Sequence, residues 1–575
     1  MTDPTSTSVR APAFALGDAA DAYEAVVEEA RADEWATRLF ARDVALWSDE
    51  QDVRRSIAER LGWLDAPVDF ADNVPALEGF GDGIVQAGFT TAVVAGMGGS
   101  SLAPDVLRRT FGSQEGYLEL RILDSTGPKA VADAFDDLDP LKTLVIIASK
   151  SGTTTEPNAF LEYAWDRAHK ALDKVGYHVF ETPGDLIVAI TDPGKSLEAI
   201  PHHDRFREVF LNPPDIGGRY SALTYVGLVP ASLIGLDLDT LLASALAMLG
   251  ACREPDPALN PGVSLGIAMG TLAKAGRDKL TFLADDEIAS FGAWAEQLIA
   301  ESTGKQGVGI VPVDLEPLGA PSAYGRDRAF VRLSLAEGTD GGRDALVDEL
   351  EAAGHPVIRI ELADPIDLGG EFVRWEVATA IAGAVLGIDP FDQPNVEEAK
   401  NLTRAVLEKA GRGEAVDTGA APLTPEDPAL ADALAAHLGK RAPNAYLAIQ
   451  AFISPTEARD EAIARIRALL RDRTRNATTA GYGPRFLHST GQLHKGGPEI
   501  GWFLQLTADH PNDREIPGWP YTFGELIDAQ AAGDYAALDG HRLPILRVHL
   551  GADPDAGLAA LERALEAALT TIPEG

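Results

Sequence analysis

Short apolar runs alternate along this chain with segments whose apolar positions recur at helical spacing. Runs at 91–95, 120–123, 144–147 and 186–190 predict strands, each followed by a polar loop and an amphipathic helix. A second series begins with a helix near Pro261 and continues through strands at 280–283, 308–313, 329–333 and 357–360. It includes a helix at 291–301 and a long one at 370–386 that is apolar on much of its surface and belongs deep in the molecule. Residues 18–64, with Val26, Trp35, Leu39, Val44 and Trp47 among carboxylates, predict helices that cap a larger body. Residues 411–427, rich in Ala, Pro, Asp, Gly and Thr, predict a linker, beyond which strands are expected at 445–452, 502–507 and 545–548.

Strand–helix alternation of this kind implies parallel sheets flanked by helices. The expected fold class is therefore α/β: a disordered tail at 1–17, a helical cap at 18–90, parallel-sheet domains at 91–250 and 251–410, and a C-terminal α/β segment at 428–575.

Composition narrows the function classes. Hydrophobic residues make up 45% and charged residues 24%, as in ordinary globular proteins, but 88 acidic against 49 basic side chains leave a net charge of −39. Such a surface repels nucleic acid and anionic lipid, so a site for an anionic small molecule must concentrate arginine, lysine and backbone N–H groups. Cys252 is the sole cysteine, which excludes intramolecular disulfides and cysteine-rich metal sites and fits a reducing, cytoplasmic setting. Residues 1–15 lack the charged and apolar regions of a signal peptide, and no run approaches membrane-spanning length, so a soluble, unexported protein is expected.

The loops after the strands carry the candidate chemistry. Residues 148–156 read A-S-K-S-G-T-T-T-E directly after an apolar run. A helix start with Ser149, Ser151, Thr153 and Thr154 offers hydroxyls and unpaired N–H groups to a phosphate, or merely caps the helix. The loop G-M-G-G-S-S at 96–101, with Gly99 and Ser100, allows close backbone approach to a ligand or simply makes a tight turn. D-P-G-K-S at 192–196 resembles the end of a nucleotide-binding loop, but Ala189 stands where that motif needs glycine. G-G-R-Y-S presents Arg219, next to Gly218, as an oxyanion partner or a surface arginine. E-S-T-G-K ends a helix on which Gln297 and Glu301 share a face, a placement that suits a general base or an exposed glutamate. F-D-Q-P brings Gln393 to the start of a helix bearing Lys400, which is otherwise a solvated lysine. His488 and His494, in H-S-T-G-Q-L-H-K-G-G-P, lack a neighbouring carboxylate or cysteine at metal-ligand spacing. His202-His203 reads as a surface pair.

Together, G-M-G-G-S-S, S-K-S-G-T-T-T-E, G-G-R-Y-S, E-S-T-G-K and F-D-Q-P occur in the order of the phosphoglucose isomerase family, which this chain resembles from about Gly96 to Lys400. The C-terminal H-S-T-G-Q segment and the initial helices are most similar to the isomerase half of bacterial transaldolase/isomerase fusions. The resemblance implies two sugar-isomerase (SIS) domains and interconversion of glucose 6-phosphate and fructose 6-phosphate without metal or cofactor. It implies a phosphate cradle of Ser149, Ser151 and Thr154 with the backbone of Lys150, and Gly99 and Ser100 lining the sugar. Glu301 becomes the base, Arg219 the group beside the enediolate, Gln297 and Gln393 substrate contacts, and Lys400 a helper in ring opening.

One departure stands out. The family's ring-opening histidine lies between E-S-x-G-K and F-D-Q, where this chain has only His355 in an unrelated context, so His488 is expected to fill that role from the C-terminal segment. In the family that histidine comes from a neighbouring subunit, so a homodimer is implied. Two alternatives are an isomerase that also accepts mannose 6-phosphate and a non-catalytic sugar-phosphate sensor.

Overall fold

A computed structural model of the chain describes residues 9–175, 180–411 and 422–572. Among the described residues there are three sheets. In the first, five parallel strands run in the order Glu119–Leu123, Thr91–Gly96, Thr143–Ala148, Ile187–Thr191, Glu208–Leu211. Every residue of Thr91–Gly96 and Thr143–Ala148 is buried, as expected of strands covered by helices on both faces. The chain runs outward on one side of Thr91–Gly96 to Glu119–Leu123 and then returns to Thr143–Ala148 on its other side. That reversal makes a topological switch point at the carboxyl ends of two neighbouring strands, the usual place for a ligand crevice. The register pairs Gly96 with Ala148, so G-M-G-G-S-S and S-K-S-G-T-T-T-E emerge side by side.

The second sheet has the order Ala13–Ala15, Val357–Leu362, Arg328–Leu335, Lys279–Ala284, Val311–Val313. Ala13–Ala15 pairs antiparallel with Val357–Leu362. Residues 13–15 are therefore not part of a disordered tail: they satisfy the backbone edge of a strand that would otherwise be open, and Phe14 packs on Tyr23 with ring centroids 5.4 Å apart. Within the same expected tail Leu16 is buried and Val9 packs against the core, while residues 1–8 lie outside the described residues. The strand expected at 308–313 is shorter, because Val308 instead bridges back to Lys305.

The third sheet, ordered Ala477–Tyr482, Tyr446–Phe452, Gly501–Thr507, Ile545–His549, is parallel and has its own core around Ile449, Ile466, Leu504, Leu558 and Leu565. It is thus a third unit and not an extension of the second sheet. Its switch point lies between the neighbouring strands Tyr446–Phe452 and Gly501–Thr507, and the H-S-T-G-Q segment lies in the connection from Ala477–Tyr482 to Gly501–Thr507. Within the expected linker at 411–427, Leu423 pairs with Val548 at the sheet edge, while residues 412–421 lie outside the described residues. Glu208–Leu211 and Ala477–Tyr482 were not expected as strands; both are edge strands, the first with an apolar run of only three residues and the second of mixed polarity.

The cap and the central helix join the units. Leu368–Leu386 is buried almost throughout, and Trp47 of the cap donates its indole N–H to the Ala380 carbonyl at 2.8 Å. Trp63 packs on Tyr220 and Phe391, holding the cap against the loops that bear Arg219 and Gln393. Among the described residues no helix is long and apolar enough to cross a membrane.

Candidate functional site

At the first sheet's switch point the hydroxyl cluster has formed. The Ser151 hydroxyl lies 3.0 Å from that of Thr153 and 3.5 Å from that of Thr154, just ahead of the helix Thr155–Val175. Ser149 is buried and its hydroxyl has no partner, a donor left free behind the same loop. The Lys150 ammonium turns away, donating to Asp192 at 2.5 Å and to the Pro214 carbonyl at 2.9 Å, so this lysine offers the cradle only its backbone. Hydroxyls and unpaired N–H groups at the positive end of a long helix suit a dianion despite the acidic surface.

Two glycines bring the other motifs to this crevice. A Cβ on Gly99 would lie 2.2 Å from the Gly218 carbonyl oxygen, and one on Gly98 would lie 2.5 Å from that of His488. Only glycine lets the loop contact G-G-R-Y-S on one side and H-S-T-G-Q on the other. Ser100 is half-buried in the same turn.

Arg219 is buried and its guanidinium is almost fully engaged. It donates to the Ser302 hydroxyl (2.7 Å), Gln393 Oε1 (3.0 Å) and the carbonyls of Pro390 (2.8 Å) and Asp392 (3.0 Å). Its Nη1 also stands 3.4 Å from Glu301 Oε1. The arginine thus ties G-G-R-Y-S, E-S-T-G-K and F-D-Q-P into one body with a fixed positive charge beside the glutamate. Gln297, one turn before Glu301, donates from Nε2 to Glu301 Oε2 (3.0 Å) and to the His488 carbonyl (2.8 Å).

His488 arrives from the third unit. Its Nε2 lies 3.0 Å from Oε1 of Glu156, which also accepts from Gln530 Nε2 at 2.7 Å. Burial alone would push the Glu156 carboxyl up; His488 chiefly, with Lys400 further off, outweighs it and holds the group below the usual glutamate range. Lys400, half-buried on the helix Val396–Gly411, is thereby within electrostatic reach of the histidine's partner. The segment carrying His488 is anchored by Gln492, which donates to the Gly304 carbonyl and to Asn395 Oδ1, both at 2.9 Å, and accepts from the Asn395 N–H at 2.8 Å.

Residues 28–326 match the family described as phosphoglucose isomerase, more than half of the chain. The chain belongs to the phosphoglucose isomerase family. It is similar to a glucose-6-phosphate isomerase of Rubrobacter xylanophilus, 32% identical over 372 residues that cover 56% of this chain and 84% of that protein. A glucose-6-phosphate isomerase of Heliobacterium modesticaldum is 29% identical over 408 residues, covering 62% and 88%. A crystal structure of a hypothetical protein from Thermus thermophilus superposes with a TM-score of 0.53 and 25% identity, covering 68% of this chain and 96% of that one.

The phosphoglucose isomerase match ends at residue 326, so Gln393, Lys400 and His488 enter the site from beyond it. Several neighbours of the site were not singled out in the sequence. Glu156 ends the S-K-S-G-T-T-T-E motif, where a carboxylate in the first turn of a helix was a readable signal. Lys305 is buried and donates to the carbonyl and carboxylate of Asp392, both at 2.6 Å; burial, then the nearby Arg219, pushes its amine down to about 8. Gln530 carries no local signal, since nothing around it in sequence differs from an ordinary helix. His494 is buried against Tyr446 and Phe503, away from any ligand role. His355 packs on Phe330 within the second unit's core.

Proposed function

We propose that the protein interconverts D-glucose 6-phosphate and D-fructose 6-phosphate through an open-chain enediolate. The phosphate sits on the hydroxyls of Ser149, Ser151, Thr153 and Thr154 and the backbone N–H of Lys150. Gly99, Ser100, Gly218 and Gln393 line the sugar. His488 moves a proton at the ring oxygen while Lys400 assists, opening the ring to the free carbonyl form. Glu301 then takes the proton from C2, where the adjacent carbonyl acidifies the C–H bond, and returns it to C1. The charge that develops on the oxygens of C1 and C2 is met by Arg219. A single preorganised oxyanion donor is worth about 100- to 1,000-fold in rate, so Arg219 is expected to matter on that scale. The homodimer implied by the resemblance would then carry two sites, each built from one chain, in a cytoplasmic enzyme.

The observation that carries this reading is the convergence on Gln297: one amide nitrogen holds the carboxylate of the base and the backbone of the histidine. The test is a coupled isomerase assay on the purified protein, with solvent exchange of the C2 proton followed in parallel. Turnover of glucose 6-phosphate is expected, and Glu301→Gln is expected to lose about 100-fold or more of both turnover and exchange. Wild-type exchange in that variant sinks the assignment of the base. Ligand binding with no turnover by the unaltered protein favours a sensor instead.

A further inference from the structure

The third unit supplies more than the histidine. Its helix Phe523–Gly540 runs beside the crevice and presents Gln530 and, one turn later, Asp534 on the same face. Gln530 is 3% exposed and sits between two groups of the first unit. Its amide nitrogen donates to Glu156 Oε1 at 2.7 Å, and its amide oxygen accepts from the Thr126 hydroxyl at 2.6 Å. An ionised carboxylate only accepts, so the NH₂ end of the amide must face Glu156 and the oxygen must face Thr126. The same Glu156 oxygen meets His488 Nε2 at 3.0 Å, which leaves Nδ1 as the ring nitrogen turned away from that carboxylate. Asp534 meanwhile takes the ammonium of Lys495 at 2.6 Å, with both side chains almost wholly buried, and Lys495 lies on the short helix Gly491–Gly496 that follows His488. One helix therefore grips both the carboxylate partner of the histidine and the segment that bears the histidine.

We propose that Gln530 is a positioning residue for ring opening: it holds Oε1 of Glu156 on Nε2 of His488 and so fixes Nδ1 as the ring nitrogen that faces the sugar and exchanges the proton with its ring oxygen. The physical reason is geometric. A carboxylate bonded only to a histidine rotates with it, whereas one pinned by a second donor, itself pinned by Thr126, holds the imidazole in one orientation and one tautomer. Neither Gln530 nor Lys495 nor Asp534 falls within residues 28–326, so this support is a contribution of the C-terminal unit to a site whose base and arginine lie in the family-matched part.

This inference rests on the ring-opening role proposed for His488, and the test separates the two. Gln530→Leu keeps the volume and removes the donor. Its turnover of cyclic glucose 6-phosphate is expected to fall about tenfold with KM within about twofold. Turnover of 5-deoxy-D-fructose 6-phosphate, which lacks the hydroxyl needed to close a ring, should stay within about twofold of wild type, since proton transfer between C1 and C2 does not need His488. Loss of a donor to the ionised form raises the carboxyl's pKa, so the acid limb of the cyclic-sugar profile should move up by about half a pH unit. Thr126→Val, which frees the amide without removing it, should act in the same direction more weakly, and it decides the matter if Gln530→Leu does not fold. Wild-type behaviour on the cyclic sugar, equal loss on both sugars, or an unmoved acid limb each overturns the proposal. His488→Ala separates the levels: if it keeps wild-type turnover of the cyclic sugar, the ring-opening role itself has failed. If it is impaired while the Gln530 and Thr126 variants are not, only the positioning role has failed.

Discussion

The side-chain amide nitrogen of Gln297 donates to the backbone carbonyl of His488 at 2.8 Å, although 191 residues separate them in the chain. The same nitrogen holds Glu301 at 3.0 Å. In the mechanism proposed above Glu301 and His488 act on one substrate, and a shift of about 1 Å between them would cost much of the advantage of preorganisation. Gln297 restricts that freedom by linking the second and third units.

Because Glu301, Arg219 and His488 converge from a single chain, two inactive chains should not repair one another. Equimolar Glu301→Gln and His488→Ala proteins, unfolded and refolded together, are expected to show no more activity than each alone. If the histidine came from a neighbouring subunit, random pairing would restore about a quarter of wild-type activity. That recovery would refute assembly within one chain.

Gly99 tests the close contact that brings the arginine to the crevice. A Cβ there meets the Gly218 oxygen at 2.2 Å and Arg219 N at 2.9 Å, contacts that backbone must move to relieve. Gly99→Ala is expected to cost about 1–3 kcal/mol of stability and to raise KM. Gly218→Ala, whose Cβ would meet nothing within 4 Å, serves as the stability control and should leave the urea midpoint unchanged. Equal midpoints for wild type and both variants would show that the loops are not in this contact.

Glu296 precedes Gln297 on the same helix and predicts a pH dependence. Burial, then Asp314, pushes its carboxyl up to about 8 from the ordinary 4.5, with Arg467 and Arg485 partly opposing. Between those values the folded protein holds a proton that the unfolded chain has lost. This group's contribution to stability is therefore full below about pH 4.5 and declines as pH rises towards about 8. Glu296→Gln removes the decline. Urea unfolding at about pH 5.5 and about pH 8.5 should show the variant gaining on wild type at the higher value. A difference that is the same at both values contradicts the raised carboxyl.

Much of this architecture was legible locally. Most strand positions in the first two sheets followed from apolar runs of the right length, the edge strands Glu208–Leu211 and Ala13–Ala15 excepted. The motifs stood at strand ends because loops rich in Gly, Ser and Thr are where a buried strand must turn. Arg219, Glu301 and Gln297 stood together in the sequence only through the resemblance, whose motifs occur in order; taken locally, each also read as an ordinary loop or helix residue. The strand Ala13–Ala15 was not legible, since three residues beside a Pro- and Ser-rich stretch gain their structure only from the open edge they cover. Ala477–Tyr482 was missed for a related reason: A-T-T-A-G-Y has little apolar drive of its own and is held by pairing with Tyr446–Phe452.

By itself, then, the sequence determined the α/β alternation, the hydroxyl-rich turn at 148–156 and the order of the motifs, because backbone preference and hydrophobic periodicity act over a few residues. Only the tertiary structure decided that Gly96 and Ala148 stand side by side, that Lys150 points away from the cradle, and that His488 meets Glu156 with Gln530 behind it. Those relationships depend on how three separately formed sheets pack. Packing is set by the summed shape of surfaces far apart in the chain, for which no short stretch carries a signal.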